Sequence, residues 1–281
     1  MTDRDDLLAR AETQASAWGV TPAQVTHTAG SVCVFGRWRG TDVVLKVVRR
    51  SSDEWFAGSA LEAFQAAGAV RLLQHADGAA LMERLVPGTA LADAGLGDRE
   101  ATAVIAGVIA RMRPGPPPAT APPVESWCRS FERHASAPPG GIPKTLLAAA
   151  HDTYRALCAS QPAVRLLHGD LHHRNVLSDS CKGWVAIDPK GVVGEVAFEV
   201  GAALRNPCER PDIFADPLTI RERVDHFTRA LKLDRGRLLQ WAFAQAVLAA
   251  VWEWEESGAL SAGHGWLALA GAIRNDPASC Y

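Results

Sequence analysis

Apolar positions follow two different periods along this chain, and the switches between them divide it into elements. Residues 1 to 18 carry the pattern of a short amphipathic helix. From Val25 to Val48 the runs become short and strand-like, broken at Ala29-Gly30-Ser31 and at Arg39-Gly40-Thr41-Asp42, which predicts three strands of a small antiparallel sheet. Helical spacing returns over Asp53 to Ala67, where Trp55, Phe56, Leu61 and Phe64 are apolar, Ser52 is a candidate cap and Gly68 a stop. Val70 to Gln74 and Ala79 to Leu85, separated by Ala76-Asp77-Gly78, complete a unit of five strands and one helix.

Pro87-Gly88 then interrupts the chain, and beyond it helical patterns dominate: Asp98 to Met112, Val124 to Ser136 and Pro143 to Ser160. Pro114 to Pro123 is too rich in proline for helix or central strand and reads as a loop within this second part. Val164 to Ile187 reverts to short strands around a polar turn. Asp216 caps a helix ahead of Pro217, and helices continue to Asn275. There is no internal repeat. The expectation is an α+β chain in two lobes, residues 1–86 and 87–281.

Composition narrows the function. The 281 residues are 48% hydrophobic and 21% charged, which suits a globular protein with one large core or two modest ones. A net charge of −2 lacks the basic excess a nucleic-acid partner requires. The N-terminal MTDRDDLLARAETQ has neither a basic flank nor an apolar run, and no stretch reaches the length of a membrane span, so a cytoplasmic protein without a membrane partner is expected. The six cysteines, Cys33, Cys128, Cys158, Cys181, Cys208 and Cys280, stand singly, without zinc-site spacing, and are expected to be reduced.

The chemistry concentrates in Leu166 to Leu177, LLHGDLHHRNVL. An apolar run leads into His168-Gly169-Asp170, and Asn175 follows five residues later, before a second apolar run. On a strand–loop–strand unit, a carboxylate and a carboxamide can face one point. Asp170 can accept a proton from an attacking hydroxyl while the Asn175 oxygen ligates a hard cation. Thirteen residues on, the apolar Trp184-Val185-Ala186-Ile187 ends in Asp188, where a hairpin would return a second carboxylate beside Asn175. His172 and His173 are adjacent, a spacing at which two side chains do not easily share one metal ion.

This His168-Gly169-Asp170, Asn175 and Ile187-Asp188 series resembles the catalytic and metal-binding signature of aminoglycoside phosphotransferases, relatives of protein kinases. HGDLHHRNVL at 168–177 and IDPKGVVGE at 187–195 are similar to stretches of the streptomycin 6-kinase and hydroxyurea phosphotransferase subgroup. The resemblance implies a bilobal protein-kinase-like fold, ATP and Mg2+ as cofactors, Asp170 as catalytic base, and Asn175 and Asp188 as metal ligands. It extends to Val43-Val44-Leu45-Lys46-Val47-Val48, which is similar to the third-strand lysine motif and would bring Lys46 to the α/β phosphates. Glu62, on the following helix, would orient Lys46; Glu54, nearer the helix start, is the rival partner. Ser31, in the first turn, would touch phosphate. The segment Leu81-Met82-Glu83-Arg84-Leu85 would form the hinge, with main-chain groups of Glu83 and Leu85 offered to adenine.

Several residues stay open at this level. Lys190 either approaches the γ-phosphate or packs on the surface, and Glu195 and Glu199 either bind a cationic substrate or sit at a helix start. Residues 191–281 hold twelve Asp or Glu against nine Arg or Lys, a small acidic excess that suits a cationic acceptor. The acceptor expected is a hydroxyl-bearing small molecule, an aminoglycoside or hydroxyurea. The alternatives are a kinase of an amino alcohol, sugar or ketosamine and, in another class, a nucleotide-binding module without catalysis. The expected assembly is a monomer or weak dimer.

Overall fold

The computed structural model describes residues 3–28, 30–136, 141–261 and 263–275. Ala29 and Cys280 therefore lie outside the described residues. Helix α1 (Asp3–Trp18) leads into β1 (Thr21–His27), β2 (Ser31–Trp38) and β3 (Thr41–Val48), then α2 (Ala57–Phe64), β4 (Leu72–Ala76) and β5 (Ala79–Glu83). The sheet is antiparallel, in the order β1-β2-β3-β5-β4. The period of two along β3 decides what each face does. Val43, Leu45 and Val47 pack under Leu7, Ala11 and Ala15, the i, i+4 stripe of α1. Lys46 falls on the opposite face, in register with Ala80 of β5.

The rest of the chain is mainly helical. It comprises β6 (Pro87–Ala90), α3 (Asp98–Arg111), α4 (Cys128–Ala135) after a 3₁₀ turn, α5 (Lys144–Ala159), β7 (Arg165–Leu167), β8 (Val176–Asp179), β9 (Gly183–Ala186) and β10 (Val192–Gly194). It continues through α6 (Val196–Leu204), α7 (Pro211–Phe214), α8 (Pro217–Leu231), α9 (Arg235–Ser257) and α10 (Gly265–Arg274). Asp216 caps α8 as expected, its carboxylate accepting from the Thr219 N–H at 2.8 Å. The middle of α9, from Leu238 to Val251, is buried on nearly every side, which makes it the central post of this lobe. Arg223 of α8, also buried, ties three elements together by donating to Asp98 and to the carbonyls of Ala203 and Asn206.

Three departures from the sequence reading affect the site. The helix expected over 53–67 begins only at Ala57; Ser51 to Phe56 form turns, and Ser52 accepts from Glu54 N instead of capping. Pro87-Gly88 is not a break but part of β6, which pairs with β8. Val192–Gly194 is a strand paired with β7. One core runs through both lobes, joining Ala60, Leu61, Phe64 and Met82 to the helical part. Val70 N also donates to Ala186 O at 2.8 Å across the junction. Among the described residues no helix is long and apolar enough to cross a membrane, and Cys33, Cys128, Cys158, Cys181 and Cys208 are free thiols.

Candidate active site

Lys46 reaches from the cleft face of β3 to two carboxylates. Its Nζ lies 2.5 Å from Glu54 Oε2 and 2.9 Å from Asp188 Oδ1. Burial alone would depress the ammonium, but Asp188 and Glu54 raise its pKa well above the usual lysine value, so it is held charged. Glu62 is not its partner. The late start of α2 leaves Glu62 outside the cleft, its side chain 72% exposed and 3.6 Å from His75, while the turn before α2 carries Glu54 inward.

The strands β7, β8 and β9 frame a loop that converges on one point. Gly169 has φ +84°, and a Cβ there would lie 2.9 Å from Val192 Cγ2, so the turn between His168 and Asp170 requires glycine. Glu199 of α6 accepts from both His168 N (2.7 Å) and Gly169 N (3.0 Å), clamping the loop from below. Burial pushes the Glu199 carboxyl up to about 7, against the pull of these two amides. His168 is wholly buried, with Nε2 2.7 Å from Ile187 O and Nδ1 accepting from Asp170 N at 3.3 Å. A carbonyl on one nitrogen and an N–H on the other fit the neutral Nε2–H ring, and burial lowers its pKa to about 4.

Asp170 is the focus. Burial would raise its pKa, but Lys190, His172 and Arg205 outweigh burial and hold it at about 2, so it is a carboxylate at neutral pH. Lys190 Nζ and His172 Nε2 lie 3.8 Å from Oδ2, and Arg205 Nη2 lies 3.5 Å from Oδ1. Asn175 donates Nδ2–H to Asp170 O at 2.9 Å, and Ile187 N donates to Asn175 O at 2.9 Å, which ties the β9 end to the loop. The next residue, Asp188, has φ +58°, a left-handed conformation uncommon for a non-glycine residue and of the kind that clusters at functional sites.

A cleft of about 740 Å³ lies over Lys46 and Asp188, lined also by Gly30, Ser31, Arg49, Asp53, Glu54, Trp252, Glu255 and Glu256. Ser31 thus faces the cleft, although its Oγ is 2.8 Å from Thr28 Oγ1 and its N–H donates to the same hydroxyl at 3.0 Å. Glu83 and Leu85 do not line it. Glu83 N donates to Arg71 O, its carboxylate pairs with Arg71 and Lys182, and the Leu85 side chain is core. Glu195 and Glu199 are also committed inside the chain: Glu195 accepts from Arg237 and from Trp241 Nε1 (2.6 Å), fixing the start of α6. Sequence reasoning missed Arg205 as an Asp170 neighbour. Its signal was an arginine closing a stretch, Val196 to Leu204, that is apolar but for Glu199, a cation that is buried only against a carboxylate.

Comparison with known proteins bears on the same segments. A family model described as aminoglycoside/hydroxyurea antibiotic resistance kinase matches residues 17–258. The chain is 33% identical over 230 residues to streptomycin 6-kinase from Streptomyces griseus, covering 77% of this chain and 72% of that one. It is 34% identical over 214 residues to streptomycin 3''-kinase from Klebsiella pneumoniae, 73% of this chain and 77% of that one. Its fold matches the crystal structure of a thermostable mutant of an aminoglycoside phosphotransferase in ternary complex with ADP and hygromycin B. There the TM-score is 0.62 at 16% identity, over 95% of this chain and 98% of that one.

Proposed function

This chain belongs to the aminoglycoside/hydroxyurea antibiotic resistance kinase family, and from that premise we propose that it moves the γ-phosphoryl group of ATP to a hydroxyl of an aminoglycoside, streptomycin in the first instance. The observation that carries this reading is Asp170, kept ionised among Lys190, His172 and Arg205 and tied through Asn175 to Ile187, the residue before Asp188. Residues 1–86 hold the nucleotide and residues 87–281 supply the catalytic loop and the acceptor site. Lys46, oriented by Glu54, contacts the phosphates, and the Ser31 hydroxyl stands at the same cleft.

Asn175 and Asp188 would hold magnesium. They fit it: Asn175 has given its N–H to Asp170 O, which leaves its side-chain oxygen to accept a cation, and Asp188 adds a carboxylate, so both offer hard oxygen donors. When bound, the ion offsets charge on the phosphates. Asp170 accepts the proton of the acceptor hydroxyl as that oxygen attacks phosphorus. The carboxylate is held ionised and so can accept that proton, which leaves late in a loose transition state.

The acceptor class follows from charge. Glu255 and Glu256, at the end of α9, line the cleft beyond the Lys46 and Asp188 group, Glu255 pairing with Arg133, and carboxylates there favour a cationic aminoglycoside over neutral hydroxyurea. ADP release measured with Mg-ATP and, separately, streptomycin, other aminoglycosides, hydroxyurea and simple metabolite alcohols tests this. Release that depends on streptomycin is expected; release with metabolite alcohols alone would overturn it.

A further inference from the structure

Lys190 stands two residues beyond Asp188, and its backbone N–H is fixed by donation to His168 O at 2.8 Å. Its ammonium lies 2.6 Å from Asp53 Oδ2, on the turn before α2, and 3.8 Å from Asp170 Oδ2. The indoles of Trp127 and Trp252 flank it at 5.8 and 5.5 Å, which confines the head group by cation–π contact. Asp53 and Trp252 both line the cleft over Lys46 and Asp188. Lys190 therefore spans from that cleft to the carboxylate proposed as base.

Its two partners differ in how firmly they can hold it. Asp53 is 57% exposed, so this pair is worth little and is open to exchange. Asp170 already has the buried guanidinium of Arg205 on its other oxygen, held in turn by Gln245 at 3.1 Å. An ammonium that remained on Asp170 would also oppose proton uptake there. A triphosphate entering the cleft offers Lys190 a stronger anion than exposed Asp53. Lys46 is already engaged by Glu54 and Asp188.

We propose that Lys190 is a catalytic cation whose ammonium leaves Asp53 and Asp170 when ATP binds and contacts the oxygens of the γ-phosphoryl group in transit. This rests on the phosphotransfer reading above. In that step the acceptor oxygen bonds to the γ-phosphorus and the bond to the β–γ bridging oxygen breaks. That electron pair stays on ADP, and the acceptor proton passes to Asp170 and then to water. Lys190 neither gains nor loses a proton; it offsets charge that spreads over the three equatorial oxygens.

The test compares wild type, Lys190→Met and Lys190→Arg in two measurements. Calorimetric titration needs no acceptor: Lys190→Met should bind Mg-AMP-PNP about 10-fold more weakly while Mg-ADP changes less than about 2-fold. With streptomycin as acceptor, Lys190→Met should lower kcat by about 100-fold or more with KM for ATP changed less than about 5-fold, and Lys190→Arg should recover part of the loss. Equal loss of affinity for both nucleotides, or kcat within about 2-fold of wild type, would overturn the proposal. Unchanged Mg-ADP affinity also certifies that the variant folds; if Met does not fold, Lys190→Gln answers the same questions. Should wild type itself fail with every acceptor, the acceptor reading falls, while the AMP-PNP to ADP comparison still decides Lys190.

Discussion

At the scale of single residues, the loop from His168 to Asn175 combines a fixed neutral histidine with a fixed charged aspartate. The unfolded chain protonates His168 near 6.5, whereas the fold resists until about pH 4. The unfolded state thus binds more protons between those values, and stability falls as pH falls through that window. The shift corresponds to roughly 3 kcal/mol for a wholly buried ring. Thermal melts of His168→Gln from pH 4 to 7 should show a flatter slope than wild type; an unchanged slope would mean His168 is not the group responsible. Asp170 and Asp188 should separate by readout. Asp170→Ala should keep Mg-ATP binding, while Asp188→Ala should weaken it at least about 10-fold, as a calorimetric titration with and without magnesium would show.

At the scale of elements, the local patterns that repeat were legible and those made by distant pairing were not. The i, i+4 stripe of α1, the alternation of β3 and the Asp216 cap of α8 are all short-range, and each is where the pattern put it. β6 has only four residues and begins with proline; its strand character comes from β8, far along the chain, so no local signal announces it. Trp55 and Phe56 misled because their apolar side chains mimic helical period. Trp55 packs instead under the β4–β5 turn, where its carbonyl accepts from Gly78 N at 3.0 Å, and the chain stays in turns until Ala57. Choosing Glu62 over Glu54 follows from that one error. Glu54→Gln should therefore raise KM for ATP several-fold, about 1 kcal/mol for a half-buried ion pair, and Glu62→Gln should leave it unchanged. Steady-state kinetics of the two variants side by side distinguishes the partners.

Over the whole molecule, the two lobes meet through more than a hinge. The shared core, the Val70 to Ala186 hydrogen bond, the Glu83–Lys182 pair and the Lys190–Asp53 pair all cross the junction. The residues proposed to hold phosphate and metal come from opposite sides of it: Lys46 from the sheet, Asp188 from the end of β9. Glu255 and Glu256, at the end of α9, line the cleft; in the sequence they belong to a Glu253-Glu255-Glu256 cluster that a solvated helix end explains equally well. Glu256→Lys should raise KM for streptomycin several-fold, and added salt should shrink the difference from wild type, since the interaction is a screened surface one. An unchanged KM at low salt would remove α9 from the acceptor site.

The central claim is that Asp170 takes the acceptor proton during phosphoryl transfer. ADP release with Mg-ATP and streptomycin, wild type against Asp170→Ala, tests it most directly. The expected result is a loss of kcat of about 1,000-fold or more with Mg-ADP affinity retained. Turnover near the wild-type rate in Asp170→Ala would contradict it.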